Sequence, residues 1–126
     1  MTTAKLIPAN FAAGASLSNA VLPGDQVICG FIVPSAWTAA ALSYNVSDDY
    51  GVTYNAFFDD GGNELNIPSA VMVAAAARNP GRIQTDASAF GGVVSLQLRS
   101  GLSAAPVVQV TALTVYIVTR KFYALT

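Results

Sequence analysis

The sequence predicts an all-β fold, a β-sandwich or jelly roll with one or two short helical turns. Three observations carry that expectation. ALSYNVS sets Leu42, Tyr44 and Val46 against Ser43, Asn45 and Ser47, and VVSLQLRS sets Val94, Leu96 and Leu98 against Ser95, Gln97 and Arg99. Such two-residue alternation is the pattern of a half-buried strand. Two further stretches, the apolar QVICGFIV and the Val- and Thr-rich VVQVTALTVYIVTRKF, are rich in the β-branched residues that strands favour. Turn-forming groups recur every several residues, at Pro23-Gly24-Asp25, 48–51, 59–63, Asn79-Pro80-Gly81, Gly91-Gly92 and Ser100-Gly101.

Taken in order, the opening MTTAKLIPANF lacks strong alternation and holds Pro8. Residues 1–13 therefore read either as an extended arm, with Leu6, Ile7 and Phe11 as anchors on a neighbouring subunit, or as an ordinary first strand. Residues 14–126 read as one sandwich domain. QVICGFIV is apolar on both faces, as in a central strand, and Cys29 within it reads as a small buried hydrophobe. PSAWTAAAL suggests a helical turn after Pro34-Ser35, and VTYNAFF suggests a strand. SAVMVAAAARNPG suggests a short helix with an N-cap at Ser69 and an Asn-Pro-Gly stop. The end of the last strand joins Arg120, Lys121, Phe122 and Tyr123, a mix of cation and aromatic common at interface hot spots and equally at home on a solvated strand end.

Composition removes several classes of function. The chain has no His and one Cys, which excludes Ser-His-Asp and Cys-His catalysis, the usual zinc sites and an intramolecular disulfide. No cofactor is expected. Net charge is −1 and the six Lys and Arg form no basic stripe, so nucleic acid is not an expected partner. No apolar run approaches the roughly 20 residues that span a bilayer, so no membrane partner is expected either. Yet only 10% of residues are charged, 53% are apolar, and mean hydropathy is +0.50. A surface so thinly charged predicts cover by a partner or by copies of the chain, with a closed ring such as a trimer the expected oligomer.

Five of the seven acidic residues fall between Asn45 and Asn66: Asp48, Asp49, Asp59, Asp60 and Glu64. If VTYNAFF is a strand, the two aspartate pairs stand roughly 23 Å apart. They then share no ion, nor do they reach the roughly 5–10 Å separation of glycosidase carboxylates. A weak calcium loop at Asp59, Asp60, Asn63 and Glu64 is one reading of DDGGNE; tight turns, which favour Asp, Asn and Gly, are the plainer one. Catalysis by a pair such as Asp60 and Glu64 is a further reading. Trp37, Tyr50 and Tyr54 offer aromatic faces for a sugar ring, with Trp37 also suited to the core.

Several segments read together as a pattern. SLS.AV, PSAWTAA.L, an S.DG turn, DD.G.E and RSG.S..PV.Q correspond here to residues 16–21, 34–42, 47–51, 59–64 and 99–109. On these elements the chain resembles, over about 14–120, a family of small structural proteins of tailed bacteriophages. It departs from the pattern by inserting Asp49-Tyr50 and by carrying the long apolar AVMVAAAARNPGR. The resemblance implies a non-enzymatic virion component with a β-sandwich fold. It would be made in the host cytoplasm and placed on the capsid surface as a decoration or cement protein, with the major capsid protein and copies of itself as partners. A glycan-binding module of a phage spike, fibre or tail is the alternative.

Overall fold

The computed structural model describes residues 4–90 and 93–121, which build a β-sandwich of two antiparallel sheets. In the first sheet the spatial order is β1 (Ala4–Phe11), β9 (Leu113–Lys121), β2 (Gln26–Val33) and β6 (Gly81–Gln84). The second sheet centres on β3 (Leu42–Ser47) and β7 (Ser95–Leu102), flanked by the two-residue strands β4 (Asn55–Ala56), β5 (Asn66–Ile67) and β8 (Ala105–Pro106).

The N-terminal segment is a strand of this sandwich, and the arm reading is corrected. β1 pairs with β9 along its whole length, from Ala4 opposite Arg120 to Phe11 opposite Leu113. Ala9 and Phe11 lie in the core, and Ile7 packs against it, so neither Phe11 nor Ile7 is available as an anchor on a neighbour. Only Leu6 of that trio is well exposed. The Asn10 N–H donates to Asn19 Oδ1 at 2.6 Å, and the Asn10 carbonyl accepts the Asn19 N–H at 3.2 Å, so Asn10 turns its backbone away from β9. Pro8, two residues earlier, turns the same way, which places a residue without an N–H on the open edge of the sheet.

β2 is the central strand its composition suggested. A bulge between Ile28 and Gly30 interrupts its pairing with β9, and Cys29 sits there buried, its thiol 3.4 Å from the Val118 carbonyl. Between the sheets, Phe31 stacks with Tyr44, and Phe90 meets Tyr44 edge-on at 5.0 Å. Leu42, Leu96, Leu98, Val115 and Ile117 fill the rest of the layer.

Four local expectations change. PSAWTAAAL makes a turn, with the Trp37 N–H on the Pro34 carbonyl at 3.2 Å, and no helix, because Trp37 packs edge-on against Phe11 at 5.5 Å. The helix in SAVMVAAAARNPG does form, as α1 (Ser69–Ala76), but its cap is Pro68 and not Ser69. The Pro68 carbonyl accepts the Val71 and Met72 N–H groups, so helical bonding begins one residue earlier. VTYNAFF forms a strand with β3 only at Asn55–Ala56, because Phe57 and Phe58 turn into a narrow hairpin in which Phe58 bridges Glu64 and the Leu65 N–H bonds the Phe57 carbonyl at 2.8 Å. The last strand starts at Leu113, since residues 107–112 form a loop around Gln109.

Candidate interaction surface

The outward face of the second sheet carries Ser43, Asn45 and Ser47 opposite Arg99, Gln97 and Ser95. Alternation predicts that face to be wet, yet Ser43, Ser47, Ser95 and Arg99 are all buried. Ser47 and Ser95 lie under the turn that follows β3, through Asp49 and Tyr54, and Arg99 explains the other end. Its guanidinium donates to Asn45 Oδ1 at 2.7 Å and pairs with Glu64 at 3.4 Å, while Glu64 accepts the Ser103 N–H and hydroxyl at 3.0 Å. The β4–β5 hairpin and the β7–β8 hairpin are thereby tied across the face of the sheet.

A second tie is made by Gln109, which is wholly buried. Its Nε2 donates to Ser100 Oγ at 2.7 Å and to the Thr38 carbonyl at 3.2 Å, and its Oε1 accepts the Thr38 N–H at 2.7 Å. Its backbone bonds Ala15 and Gly14. Residues 16–21 complete the side of β7 next to this clamp: the Ser18 N–H reaches the Leu98 carbonyl, and Val21 and Leu96 exchange backbone bonds at 2.8 and 2.9 Å. The segments 16–21, 34–42 and 99–109 therefore converge on one end of the sandwich.

Val108 and Val110 extend into solvent from the loop so fixed, with Val110 74% exposed, and Leu17 and Leu102, the last residue of β7, are partly exposed. Sequence reasoning missed all four. Alternation identifies strand faces, whereas Val108 and Val110 are displayed by a loop whose course is set by Gln109 and Ser100. The one signal available was the aliphatic content of a segment that also holds Gly101 and Pro106.

The acidic residues serve turns. Asp59 Oδ1 accepts the Gly61 and Asn63 N–H groups, both at 2.9 Å, and Glu64 is held by Arg99 and Ser103. The calcium reading of Asp59, Asp60, Asn63 and Glu64 is corrected on that ground, and among the described residues no three His, Cys, Asp or Glu gather as a metal site. Glu64 engaged in this way is also a poor partner for Asp60 in catalysis. In the preceding turn, the Ser47 hydroxyl donates to Asp49 Oδ1 at 2.7 Å and accepts the Gly51 N–H at 2.8 Å, and Asp49 Oδ1 also accepts the Thr53 N–H. These bonds, that from Ser47 foremost, hold the Asp49 carboxyl below its usual range.

That turn displays Tyr50, 78% exposed at a positive φ of 58°, and Val52, 84% exposed. Trp37 is buried, its indole N–H on the Ala40 carbonyl, and the Tyr54 hydroxyl bonds Ser95 Oγ at 2.7 Å. The three-ring sugar platform loses Trp37, which packing against Phe11 withdraws, while Tyr50 is exposed and Tyr54 half-buried. Tyr50 borders an open groove of about 480 Å³ with Leu22, Asp25, Gln26, Phe90 and Val93. Asp25 in its wall pairs with Lys121 at 3.1 Å, and this ammonium keeps its carboxyl low. Arg120 is exposed on β9. Phe122 and Tyr123 lie outside the described residues.

Fold and surface together define an all-β sandwich whose one end is a set of clamped, aliphatic-bearing loops. No known family profile, curated protein or solved structure matches the chain.

Proposed function

We propose that the protein is a non-enzymatic structural component of a virion, a capsid decoration protein that stabilises the head shell by bridging its subunits. The observation that supports this best is the clamped end, where Val108 and Val110 stand exposed on the loop fixed by Gln109, with Leu17 and Leu102 partly exposed on neighbouring segments. A fully exposed aliphatic side chain contributes about 1.5–3 kcal/mol when fully buried at a contact, and these partly exposed ones contribute in proportion to the area they still expose. Loops already held by hydrogen bonds lose little entropy on docking. Repetition of a modest contact over a lattice then supplies avidity. The resemblance to tailed-phage structural proteins supports the same reading, since the segments that carry it build this end.

The test uses particles that lack the protein. Intact chain should occupy the shell in many copies and raise its heat resistance, and a Val108→Asp, Val110→Asp variant should not. Equal occupancy by both would move the contact elsewhere, and failure of the intact chain to bind would reject the reading. Glycan binding is the alternative, supported by the exposure of Tyr50 beside the groove; retention on a glycan array that is lost in Tyr50→Ala would favour it.

A further inference from the structure

The two sheets differ in charge. β1, β2, β6 and β9 hold Lys5, Arg82, Arg120 and Lys121, four of the chain's six cations, and contain no Asp or Glu. The register sets their outward residues in rows: Pro8, Tyr116, Ile32 and Arg82 form one, and Leu6, Val118, Gly30 and Gln84 the next. Arg82 folds over Gly30, its guanidinium about where a Cβ would touch it, and donates to Gln84 at 2.8 Å. Leu6 and Tyr116 remain 50% and 41% exposed. The outer face of the first sheet is thus an apolar band with arginines at its margins.

The turn from β3 to β4 has the opposite character. Asp48 and Asp49 bring negative charge beside the exposed Tyr50 and Val52, on a backbone fixed by Ser47 and Asp49. We infer that this turn of one copy docks on the outer face of the first sheet of a second copy. Tyr50 and Val52 would cover the band formed by Leu6, Tyr116 and Ile32, and the aspartates would face Arg82 and Arg120. The inference rests on the reading of the protein as a self-associating structural component. Opposite charge favours this pairing and disfavours turn on turn or face on face. Turn and face are different surfaces, so the contact is head-to-tail and closes as a ring or continues as a filament.

Association is measured on the isolated chain, without shell, so its outcome is independent of shell binding. The wild type should self-associate in sedimentation. A face variant, Arg82→Glu with Arg120→Glu, and a turn variant, Asp48→Lys with Val52→Lys, should each lose association, with a dissociation constant raised at least about tenfold. An equimolar mixture should recover it, because the acidic face then meets the basic turn and the native face meets the native turn. Tyr50→Ser, which leaves every charge in place, should weaken association as well and serves if a charge variant fails to fold. A wild type that stays monomeric at its highest soluble concentration, variants that associate as the wild type does, or a mixture that does not recover would overturn the inference.

Discussion

Gln109→Ala tests whether one buried amide holds the clamped end together. The substitution removes three side-chain hydrogen bonds, two to the Thr38 backbone and one to Ser100 Oγ. At about 1 kcal/mol net for each, with about 1 kcal/mol more for the buried Ser100 hydroxyl left without its partner, the loss is about 4 kcal/mol. That is a large share of the roughly 5–15 kcal/mol by which a domain is stable. For a chain of this size it lowers Tm by roughly 12–16 °C. Urea unfolding is the assay, and the slope should stay unchanged while the midpoint falls. A loss under about 1 kcal/mol would refute the reasoning, since it would mean that water replaces the amide at no net cost.

Phe11→Ala should cost about 3–5 kcal/mol in the same assay, because Phe11 is fully buried against Trp37, and deletion of residues 1–11 should abolish cooperative unfolding. Glu64→Gln should destabilise by about 1–3 kcal/mol, as Arg99 keeps Asn45 but loses its counter-charge. The Asp49 carboxyl has a lowered pKa in the folded chain, so its contribution is present above the unfolded value and is lost as pH falls through the folded one. The Thr53 amide resonance, which reports its bond to Asp49 Oδ1, should therefore shift on acidification, and Asp49→Asn should remove that response.

The strands were legible where period two coincided with burial of one face. Leu42, Tyr44 and Val46 point inward as expected, and so do Leu96 and Leu98. What alternation could not reveal is the fate of the other face. Ser43 and Arg99 read as solvent-facing, yet hairpins distant in sequence cover them through Glu64 and Ser103, a contact with no local signature. Trp37 was equally ambiguous, because its partner Phe11 lies in a segment whose alternation is broken by Pro8. The turns at 48–51 and 59–63 were legible, since Asp and Gly fit tight turns by their own chemistry. The candidate surface was not, because Val108 and Val110 owe their exposure to a clamp assembled from four separate segments.

The same exchange of polar and apolar positions accounts for the unusual composition. Arg99, Gln109, Ser18, Ser43, Ser47, Ser95, Ser100 and Thr119 are buried, while Leu22, Tyr50, Val52, Val108 and Val110 are more than half exposed. A monomer under selection for solubility alone would gain by the reverse placement, because a buried polar group costs free energy unless every bond is met and an exposed aliphatic gains nothing in water. Here the buried polar groups fix loops, through Gln109 on Thr38 and Arg99 on Glu64. Val108 and Val110 stand on the loop fixed by Gln109, and Tyr50 and Val52 on the turn fixed by Ser47 and Asp49. Rigidity and apolar display on the same segments are what a docking surface requires, because they lower the entropy lost on contact and raise the area gained. On the proposed reading the thin charge of the chain reflects its contacts, and the residues to perturb first are Val108, Val110 and Tyr50.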